Sequence, residues 1–306
     1  MRKYFFLSLS LLFLFSCEEE FVPKDINIPP QLVVESYIEL SNNALPVYAL
    51  LTNSLSFYDS FSIDQIQSNF VHGADVQIKV NSDSFKLNEL CLSQLTPVLK
   101  ELVYKQLGLD ADSVKVDFCI YVDLLNQIPK LPNVPYKLDV KYDNEIYTAS
   151  TSIPDFVPLD SIWFEDTPGK PLDSFAQMFC SIADPPTPNY YRYFTSKNRS
   201  QLIANVSSVT NDVFFNGKEF KFTLARSVDP GETFSDTLGL WRVGDTISVK
   251  WCLIDDSHYN FWNTLEVSRQ RQGPFSSYVR IDGNVDKALG IFGGQRCETY
   301  TRIVKK

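Results

Sequence analysis

The sequence predicts a mainly β protein with two β-sandwich domains. Short stretches of alternating apolar and polar residues recur along the chain and are separated by turn-forming residues, as in packed antiparallel sheets. The chain has 306 residues, which is enough for one large or two medium domains with buried cores. The segment 153–158 carries prolines and interrupts the alternation. We therefore expect an N-terminal domain at 31–155 and a C-terminal domain at 156–306.

The N-terminal domain is predicted from strands, one hairpin and a helical insertion. The alternation of residues 31–40 is typical of a half-buried strand. Residues 74–80 alternate cleanly and lead through a polar turn into a hairpin partner. Thr96 as N-cap and Pro97 as first helical residue predict a helix, which we place in an insertion near 88–113. Further elements are expected at 46–52, 62–70 (a short helix), 114–122, 136–142 and 146–150.

The C-terminal domain is richer in aromatic residues and is predicted to hold one packed helix. We expect this helix near 256–271, with Asp256 or Ser257 as its N-cap and with Trp262 and Leu265 against the sheet. Strands are expected at 175–182, 190–195, 220–224, 246–254 and 298–304, with a long polar loop at 205–217 and a glycine-rich connection at 290–294. Both domains are expected to have an immunoglobulin-like or transthyretin-like arrangement of strands.

The N-terminal segment has the layout of an export signal. Arg2 and Lys3 precede an apolar run at 4–15, which is shorter than the ~20 residues that a membrane-spanning helix needs. A small residue and Cys17 end the run, and this junction resembles a bacterial lipobox. We expect 1–16 to be a lipoprotein signal peptide and Cys17 to receive the lipid. An ordinary signal peptide with an incidental cysteine is the alternative.

The residues from Cys17 onward are predicted to form an acidic tether. The segment 17–30 continues with Glu18, Glu19 and Glu20 and contains prolines, which favours an extended linker. The formal net charge of the chain is −9, and no basic run interrupts it, so neither nucleic acid nor electrostatic docking to anionic lipid is expected. Membrane attachment is therefore expected from the acyl chains on Cys17, because a multiply acylated cysteine anchors a protein stably.

The other cysteines allow two interpretations. In an oxidising compartment Cys91 and Cys119 could form a disulfide, since both fall in the insertion-like region. Small buried apolar side chains explain these cysteines equally well. Burial is the favoured interpretation for Cys180 and Cys252, which lie inside strand patterns. None of the cysteines has the spacing of a zinc site, and we expect neither a metal nor a cofactor.

Candidate catalytic residues are few. His258 follows Asp255, Asp256 and Ser257, which supplies the residue types of a nucleophile, base and acid. Neighbours in a chain seldom face one another in the required order, and Asp256 and Ser257 are better explained as helix caps. His72 is expected in a loop. We assign no catalytic residue, although two of the 37 acidic residues could still face each other in the fold.

Three further patterns have structural explanations. The acidic residues of 110–117 (Asp110, Asp112, Asp117, with Ser113) lack the glycine and the terminal glutamate of a calcium loop. Gly290 to Gly294 does not join a strand to a helix, as a phosphate-binding loop would. The aromatic run 190–194 is expected to alternate between core and surface. Any tyrosine that faces outward there could stack on a sugar or enter the surface of a partner.

Segments of the C-terminal half resemble one family. Gly244 to Ile247, the residues 255–262, Gly273 to Phe275 and the residues 289–294 occur in this order. They resemble the C-terminal signature of the Bacteroidota lipoproteins that carry the domain of unknown function 4249, and LVVESYI and GADVQIKV are similar to the N-terminal part of that family. The resemblance implies an outer-membrane lipoprotein, commonly encoded beside a TonB-dependent receptor, with no established biochemical activity.

The resemblance also implies roles for individual residues. In such bacteria an acidic run directly after the lipidated cysteine is associated with export to the cell surface, and Glu18, Glu19 and Glu20 fit this pattern. Short Asp-Ser/Thr-aliphatic sequences look like the O-glycan acceptor of these bacteria, and the acceptors would be Ser113, Ser161, Thr237 and Thr246. A strand that leaves a turn has the same pattern, so modification is expected only where the hydroxyl is exposed.

The function that we predict is binding without chemistry. We expect a surface-exposed accessory lipoprotein of a TonB-dependent outer-membrane transporter, held in the outer membrane by acyl chains on Cys17. One alternative is a surface hydrolase whose carboxylates the sequence spacing does not reveal. Another is a structural or adhesive surface protein with flat exposed aromatic patches.

Overall fold

The computed structural model describes residues 29–55, 62–107, 116–167, 169, 172–228, 231–270, 277 and 279–306. Within these ranges the chain is mainly β, as predicted. The strands are β1 (Leu32–Leu40), β2 (Tyr48–Asn53), β3 (Asp75–Val80), β4 (Asp83–Cys91), β5 (Cys119–Val122), β6 (Pro135–Tyr142), β7 (Glu145–Ser152), β8 (Ser161–Glu165), β9 (Phe175–Ala183), β10 (Tyr190–Lys197), β11 (Ile203–Asn211), β12 (Glu219–Leu224), β13 (Trp241–Arg242), β14 (Thr246–Ile254) and β15 (Leu289–Ile303). The α-helices are α1 (Ile63–Ser68), α2 (Pro97–Leu107) and α3 (Asp256–Gln270).

Eleven strands form one large sheet in the order β11-β10-β14-β15-β1-β2-β5-β4-β3-β6-β7. Strand β15 lies between β14 and β1 and pairs with β1 in parallel, with Tyr37 opposite Gly293. Strand β4 changes partner along its length, since residues 83–87 pair with β3 and residues 88–91 pair with β5. The sheet therefore has two arms on either side of β4 that can bury a common core.

The first core lies between these two arms. Its buried side chains come from β1 and β2 on one arm and from β3 and β6 on the other: Val34, Ile38, Ala49, Leu51, Val76, Ile78, Leu138 and Val140. Burial of this alternating apolar face is the dominant stabilising term, at ~25 cal/mol for each Å² of apolar surface removed from water. This packing of two sheet faces is the sandwich arrangement predicted for the first half.

The second core lies between the large sheet and a four-stranded sheet. In the smaller sheet β9 pairs with β8, β12 and β13. Its apolar face packs on β10, β14 and the end of the chain through Met178, Cys180, Ile182, Leu224, Tyr191, Val249, Trp251 and Val304. Helix α3 contacts the other face of the large sheet, at β10, β11 and β15. The second half is thus layered as helix, sheet and sheet.

The change from one core to the other lies between Ile153 and Val157. Most buried residues of the first core lie at or before Ile153, and those of the second core begin at Val157. The exceptions are Val285 and Phe292, which belong to the first core. Residues 31–306 nevertheless form one compact unit, because the β1–β15 pairing continues the large sheet across the boundary. The division at 155/156 stays a prediction. No helix in the described ranges is long and apolar enough to cross a membrane.

Local signals predicted several element ends correctly. Ser62 caps α1 in a capping box with Gln65, and the Leu99 amide donates to Thr96 Oγ1 at the start of α2. Strand β14 has the predicted bounds. The N-cap of α3 is one residue earlier than predicted, because Asp255 Oδ1 accepts a hydrogen bond from the His258 amide at 2.7 Å.

Two predictions of irregular structure are wrong. The polar stretch at 205–217 is not a long loop throughout, since its first part belongs to β11. Glu266 of α3 accepts hydrogen bonds from Ser208 in that strand, so the polar residues are satisfied without solvent. The glycines of 290–294 belong to β15, where small residues are needed because a Cβ on Gly294 would lie 2.1 Å from the Ser152 carbonyl oxygen.

Two disulfides link directly opposite residues of neighbouring strands. Cys91 of β4 is bonded to Cys119 of β5, which realises one of the two interpretations of this pair. Cys252 of β14 is bonded to Cys297 of β15, so a free buried thiol was the wrong interpretation for Cys252. Its partner is 45 residues away along the chain, and only the strand register brings the two together. Cys180 is a buried free thiol, as favoured from the sequence.

Candidate functional site

A cavity of about 270 Å³ lies between the two sheets of the second half. Its aromatic wall comes from four elements, and we call it the aromatic cleft after Tyr191, Phe215, Phe220, Phe222 and Trp251. Tyr191 and Trp251 project from β10 and β14 of the large sheet. Phe220 and Phe222 project from β12 two residues apart and therefore share one face. The loop between β11 and β12 contributes Phe215.

The five rings form a closed circuit of contacts. Ring centroids of successive members, from Tyr191 through Trp251, Phe222, Phe220 and Phe215 back to Tyr191, lie 4.8 to 6.2 Å apart. These separations lie in the range that favours offset or edge contacts between aromatic rings. The Trp251 indole N–H donates to the Val157 carbonyl oxygen at 3.2 Å. The wall of the cleft is thus fixed before any ligand enters.

The polar groups of the cleft are uncharged. The lining residues that are not apolar or aromatic are Ser207, Ser208, Thr210 and Thr223. The Ser208 hydroxyl is already bonded to Arg192 and Glu266, so the hydroxyl groups left for a ligand are those of Ser207, Thr210 and Thr223. Burial raises the pKa of the Tyr191 phenol, which donates to the Asp184 carboxylate, and burial raises the pKa of Tyr193 to about 12. Both phenols are therefore neutral at physiological pH. The cleft offers ring faces and hydroxyl groups, which suit an uncharged ligand.

Exposed apolar residues lie next to a cleft residue in the chain. Phe214, which directly precedes Phe215, is 87% exposed, and Val213 before it is 71% exposed. Phe220, which is itself part of the cleft, is also exposed in part. Single exposed apolar residues are normal on protein surfaces, but a contiguous group beside a cavity is typical of a binding surface.

The opposite face of the large sheet carries a buried charge network under α3. Arg192 of β10 donates through Nε to Ser208 Oγ at 3.2 Å, and the Ser208 hydroxyl donates to Glu266 Oε1 at 2.5 Å. The Arg192 guanidinium lies 3.6 Å from the centroid of the Trp262 ring and 4.7 Å from that of Phe194. Burial lowers the pKa of Arg192 to about 10, so it keeps its charge at neutral pH. The network attaches α3 to the sheet.

His258 is completely buried at the other end of the same interface. Its ring lies 5.1 Å from the ring of Tyr37, and its Nδ1 is 3.3 Å from the Gly294 carbonyl oxygen, while Nε2 has no hydrogen-bond partner among the described atoms. Burial and the nearby Arg192 charge lower its pKa to about 3. His258 is therefore neutral and closed off from solvent, and none of its hydrogen bonds within the described residues is to the Ser257 hydroxyl.

The sequence matches the family described as Domain of unknown function (DUF4249) over residues 18–301. The chain belongs to this family. A search of curated proteins finds no match.

The structure shows which contacts the residues of the family-like segments make. In this DUF4249 chain, Gly244 precedes β14 in a left-handed conformation, with φ +92°. Asp255 caps α3, and Trp262 on that helix lies against Arg192. A Cβ on Gly293 would lie 2.7 Å from the His258 ring. These segments assemble the contact between α3 and the sheet, whereas Gly273 to Phe275 lie outside the described residues.

The other residues singled out from the sequence are dispersed. Cys17, Glu18, Glu19, Glu20 and Ser113 lie outside the described ranges, as do Asp110 and Asp112. Ser161 is exposed, with its hydroxyl 2.6 Å from that of Ser181, whereas Thr237 and Thr246 are half-buried. O-glycosylation stays a prediction at all four positions. His72 lies in a loop, as expected, and Asp117 accepts a hydrogen bond from the Ser93 amide.

Sequence reasoning found the aromatic run of β10 but not the cleft. Tyr191 and Tyr193 line the cavity, whereas Tyr190 and Phe194 pack with the disulfide-containing cluster beneath α3. Phe220 and Phe222 are two residues apart in the strand predicted at 220–224, and such residues share one face, which is the local signal for this side of the cleft. This face meets β10 and β14 because β12 pairs with β9. No pattern in the residues of β12 itself predicts that pairing.

Proposed function

We propose that this DUF4249 chain is a lipid-anchored binding protein of the bacterial outer membrane that serves a TonB-dependent transporter and does no chemistry of its own. The observation that carries the binding function is the aromatic cleft, with its fixed ring faces and uncharged polar lining. The ligand that fits this lining is uncharged, carries a ring and presents a few hydroxyl or carbonyl groups. The anchor at Cys17 and the transporter rest on the sequence and on the family resemblance.

The arrangement of buried carboxylates supports binding over catalysis. Three buried acidic residues lie near cleft-lining residues: Asp184, Asp212 and Glu266, of which Glu266 is bonded to Ser208 in the network under α3. Asp184 accepts hydrogen bonds from the Tyr191 hydroxyl and the Gly217 amide, and Asp212 accepts one from the Asn189 amide. Both carboxylates thus stabilise the loops at this end of the small sheet. Burial raises the pKa of Asp184, but its oxygens face the protein and not the cavity.

The binding function can be tested with the uncharged fluorescent probe N-phenylnaphthylamine. Phe222→Ala should weaken probe binding about ten-fold, since an aromatic contact contributes ~0.5–1.5 kcal/mol beyond the area that it buries. Thr210→Trp should block the cavity without removing any ring. Phe234→Ala, at a residue that is 89% exposed and is not part of the cleft, is the matched control and should bind as the parent does. Equal probe affinity in all four proteins would contradict the proposal.

The transporter partner can be tested separately in the native membrane. A tag after Lys306 allows the protein to be purified in detergent and its companions to be identified by mass spectrometry. We expect a receptor of the TonB-dependent class in stoichiometric amount, and we expect Cys17→Ser to remove the protein from the membrane fraction. Purification without any such receptor would argue against the accessory role and would leave the test of the cleft unaffected.

A further inference from the structure

We propose that His72, Glu89, Cys91 and Cys119 form a zinc site when the Cys91–Cys119 disulfide is reduced. One ligand atom from each of the four side chains lies within 4.8 Å of those of the other three. The residues come from the loop before β3, from β4 and from β5, and they are therefore brought together only by the fold. Their spacing in the sequence carries no metal signature, which is why the sequence predicted none.

The two side chains that would complete the site are already positioned. Glu89 Oε1 lies 2.5 Å from His72 Nδ1, and Glu89 Oε2 accepts a hydrogen bond from the Gly73 amide at 2.9 Å. Tyr121 places its hydroxyl 3.4 Å from the same carboxylate oxygen and is itself held by the Val71 carbonyl oxygen at 2.9 Å. Supporting hydrogen bonds of this kind orient the ligands of metal sites and contribute to metal affinity.

The burial of the four residues suits entry of an ion from one side. The His72 side chain is 54% exposed and that of Glu89 is 26% exposed, so an ion can reach them from solvent. Both cysteines are buried against Phe70 and Phe118. An ion bound between the two pairs would have water on one side and an apolar wall on the other, which strengthens its interaction with thiolates.

Two thiolates, one imidazole and one carboxylate are a donor set that Zn²⁺ accepts in tetrahedral geometry. Bonds of about 2.0–2.3 Å place tetrahedral donors roughly 3.3–3.8 Å apart. The four ligand atoms would thus have to close by about 1 Å, which side-chain rotation can provide at His72 and Glu89. Sulfur atoms that are bonded to each other do not act as thiolate ligands, so the disulfide and the bound ion are alternative states.

The conversion between these states balances with a dithiol as reductant. The dithiol gives up two electrons and two protons and becomes a disulfide, while Cys91 and Cys119 become two thiols. Zn²⁺ then displaces the two thiol protons and binds the thiolates. Oxidation by a disulfide reverses the sequence, re-forms the Cys91–Cys119 bond and releases the ion.

The second disulfide of the chain provides an internal control. Cys252 and Cys297 are surrounded by Ile254, Tyr190 and other apolar or aromatic side chains, and within the described ranges they belong to no group of metal-ligand residues. Burial raises the pKa of the free thiol of Cys180 to about 12, so this cysteine does not compete for the ion at neutral pH. Thiolate–metal signals from the reduced protein can therefore be assigned to the first disulfide.

The experiment uses the full chain in detergent, reduced anaerobically with a phosphine and titrated with Co²⁺ as a spectroscopic substitute for Zn²⁺. We expect a sulfur-to-cobalt charge-transfer band and the visible bands of tetrahedral Co²⁺ in the reduced protein only, and we expect Zn²⁺ to displace them. His72→Ala and Glu89→Gln should each weaken Co²⁺ binding about 10- to 100-fold, whereas Cys252→Ser/Cys297→Ser should leave the bands intact.

A measurement on the unaltered chain keeps the proposal testable if a variant fails to fold. Addition of diamide to the zinc-loaded reduced protein should release one Zn²⁺ to a chromophoric chelator as the disulfide re-forms. The proposal is overturned if the reduced chain shows no charge-transfer band or retains its zinc on oxidation. It is also overturned if His72→Ala and Glu89→Gln bind Co²⁺ as tightly as the parent, or if the phosphine cannot open the disulfide in the folded chain.

Discussion

The burial of His258 predicts that acid destabilises this protein by a calculable amount. The pKa of His258 is about 3 in the folded chain, against an ordinary value of 6.5 for an exposed histidine. As the pH falls through 6.5, the unfolded chain therefore takes up a proton that the folded chain refuses. In this window the unfolded state binds more protons than the folded state. Lowering the pH therefore lowers the free energy of unfolding.

The magnitude follows from the two pKa values. At pH 7 an unfolded histidine is mostly neutral, so the contribution is close to zero. At pH 5 the proton taken up by the unfolded chain stabilises it by ~2 kcal/mol, at ~1.4 kcal/mol for each pH unit below 6.5. Asp255 acts in the opposite direction, because burial raises the pKa of its carboxyl group. As the pH falls, the folded chain binds a proton at Asp255 before the unfolded chain does, which stabilises the folded state.

The assay compares urea unfolding at pH 7 and at pH 5 in the parent chain and in His258→Gln, which does not titrate. The variant has its own cost at both pH values, because it loses the hydrogen bond to Gly294 and the contact with Tyr37. The acid-induced loss should nevertheless be ~2 kcal/mol smaller in His258→Gln than in the parent. His72→Gln, which changes the other histidine of the chain, retains His258 and should keep the full loss attributed to it. If His258→Gln and the parent lose equal stability between pH 7 and pH 5, then His258 is not the buried neutral group described above.

Two further predictions concern the close packing of β15 on β7 and the charge network under α3. Gly294→Ala should lower the free energy of unfolding by about 3 kcal/mol, since its methyl group must displace the Ser152 carbonyl. Gly244→Ala, which meets no atom within 4 Å but keeps φ +92°, should cost only ~1–2 kcal/mol, and an equal cost at both positions in urea unfolding would refute the steric argument. Glu266→Gln should cost ~1.5–3 kcal/mol, because it removes one of the two carboxylate charges, Glu266 and Glu35, that act on the buried Arg192 guanidinium, and it weakens the hydrogen bonds from Ser208. Arg192→Met/Glu266→Leu should cost less than the sum of the two single changes, and strict additivity in this double-mutant cycle would show that the two groups do not interact.

Local patterns predicted those parts of the fold that neighbouring residues decide. Alternation gave the bounds of β14 because a strand with one buried face must repeat every two residues. The capping box of Ser62 and the Thr96-Pro97 pair gave the starts of two helices, since an N-cap satisfies amides within three residues of itself. The hairpin of β3 and β4 followed from the polar turn between them.

The wrong predictions concern residues whose hydrogen-bond or disulfide partners are far away in the sequence. Ser208 looked like part of a loop because its partners, Arg192 and Glu266, lie 16 and 58 residues away. Cys252 looked like a buried thiol because its partner lies on a strand formed 45 residues later. The aromatic cleft and the cluster around His72 depend in the same way on which strands become neighbours. A single sequence contains no direct record of that choice.

The parallel pairing of β1 with β15 has a consequence for the order in which the protein can be made. Strand β1 is synthesised before β15, and one of its edges stays unpaired until residues 289–296 are available to pair with it. One edge of β14 is likewise unpaired until residues 295–303 are available. Bare strand edges attract other chains, so a nascent chain of this protein needs protection throughout elongation. The large sheet is therefore continuous across β1 and β14 only once the chain has been synthesised through residue 303.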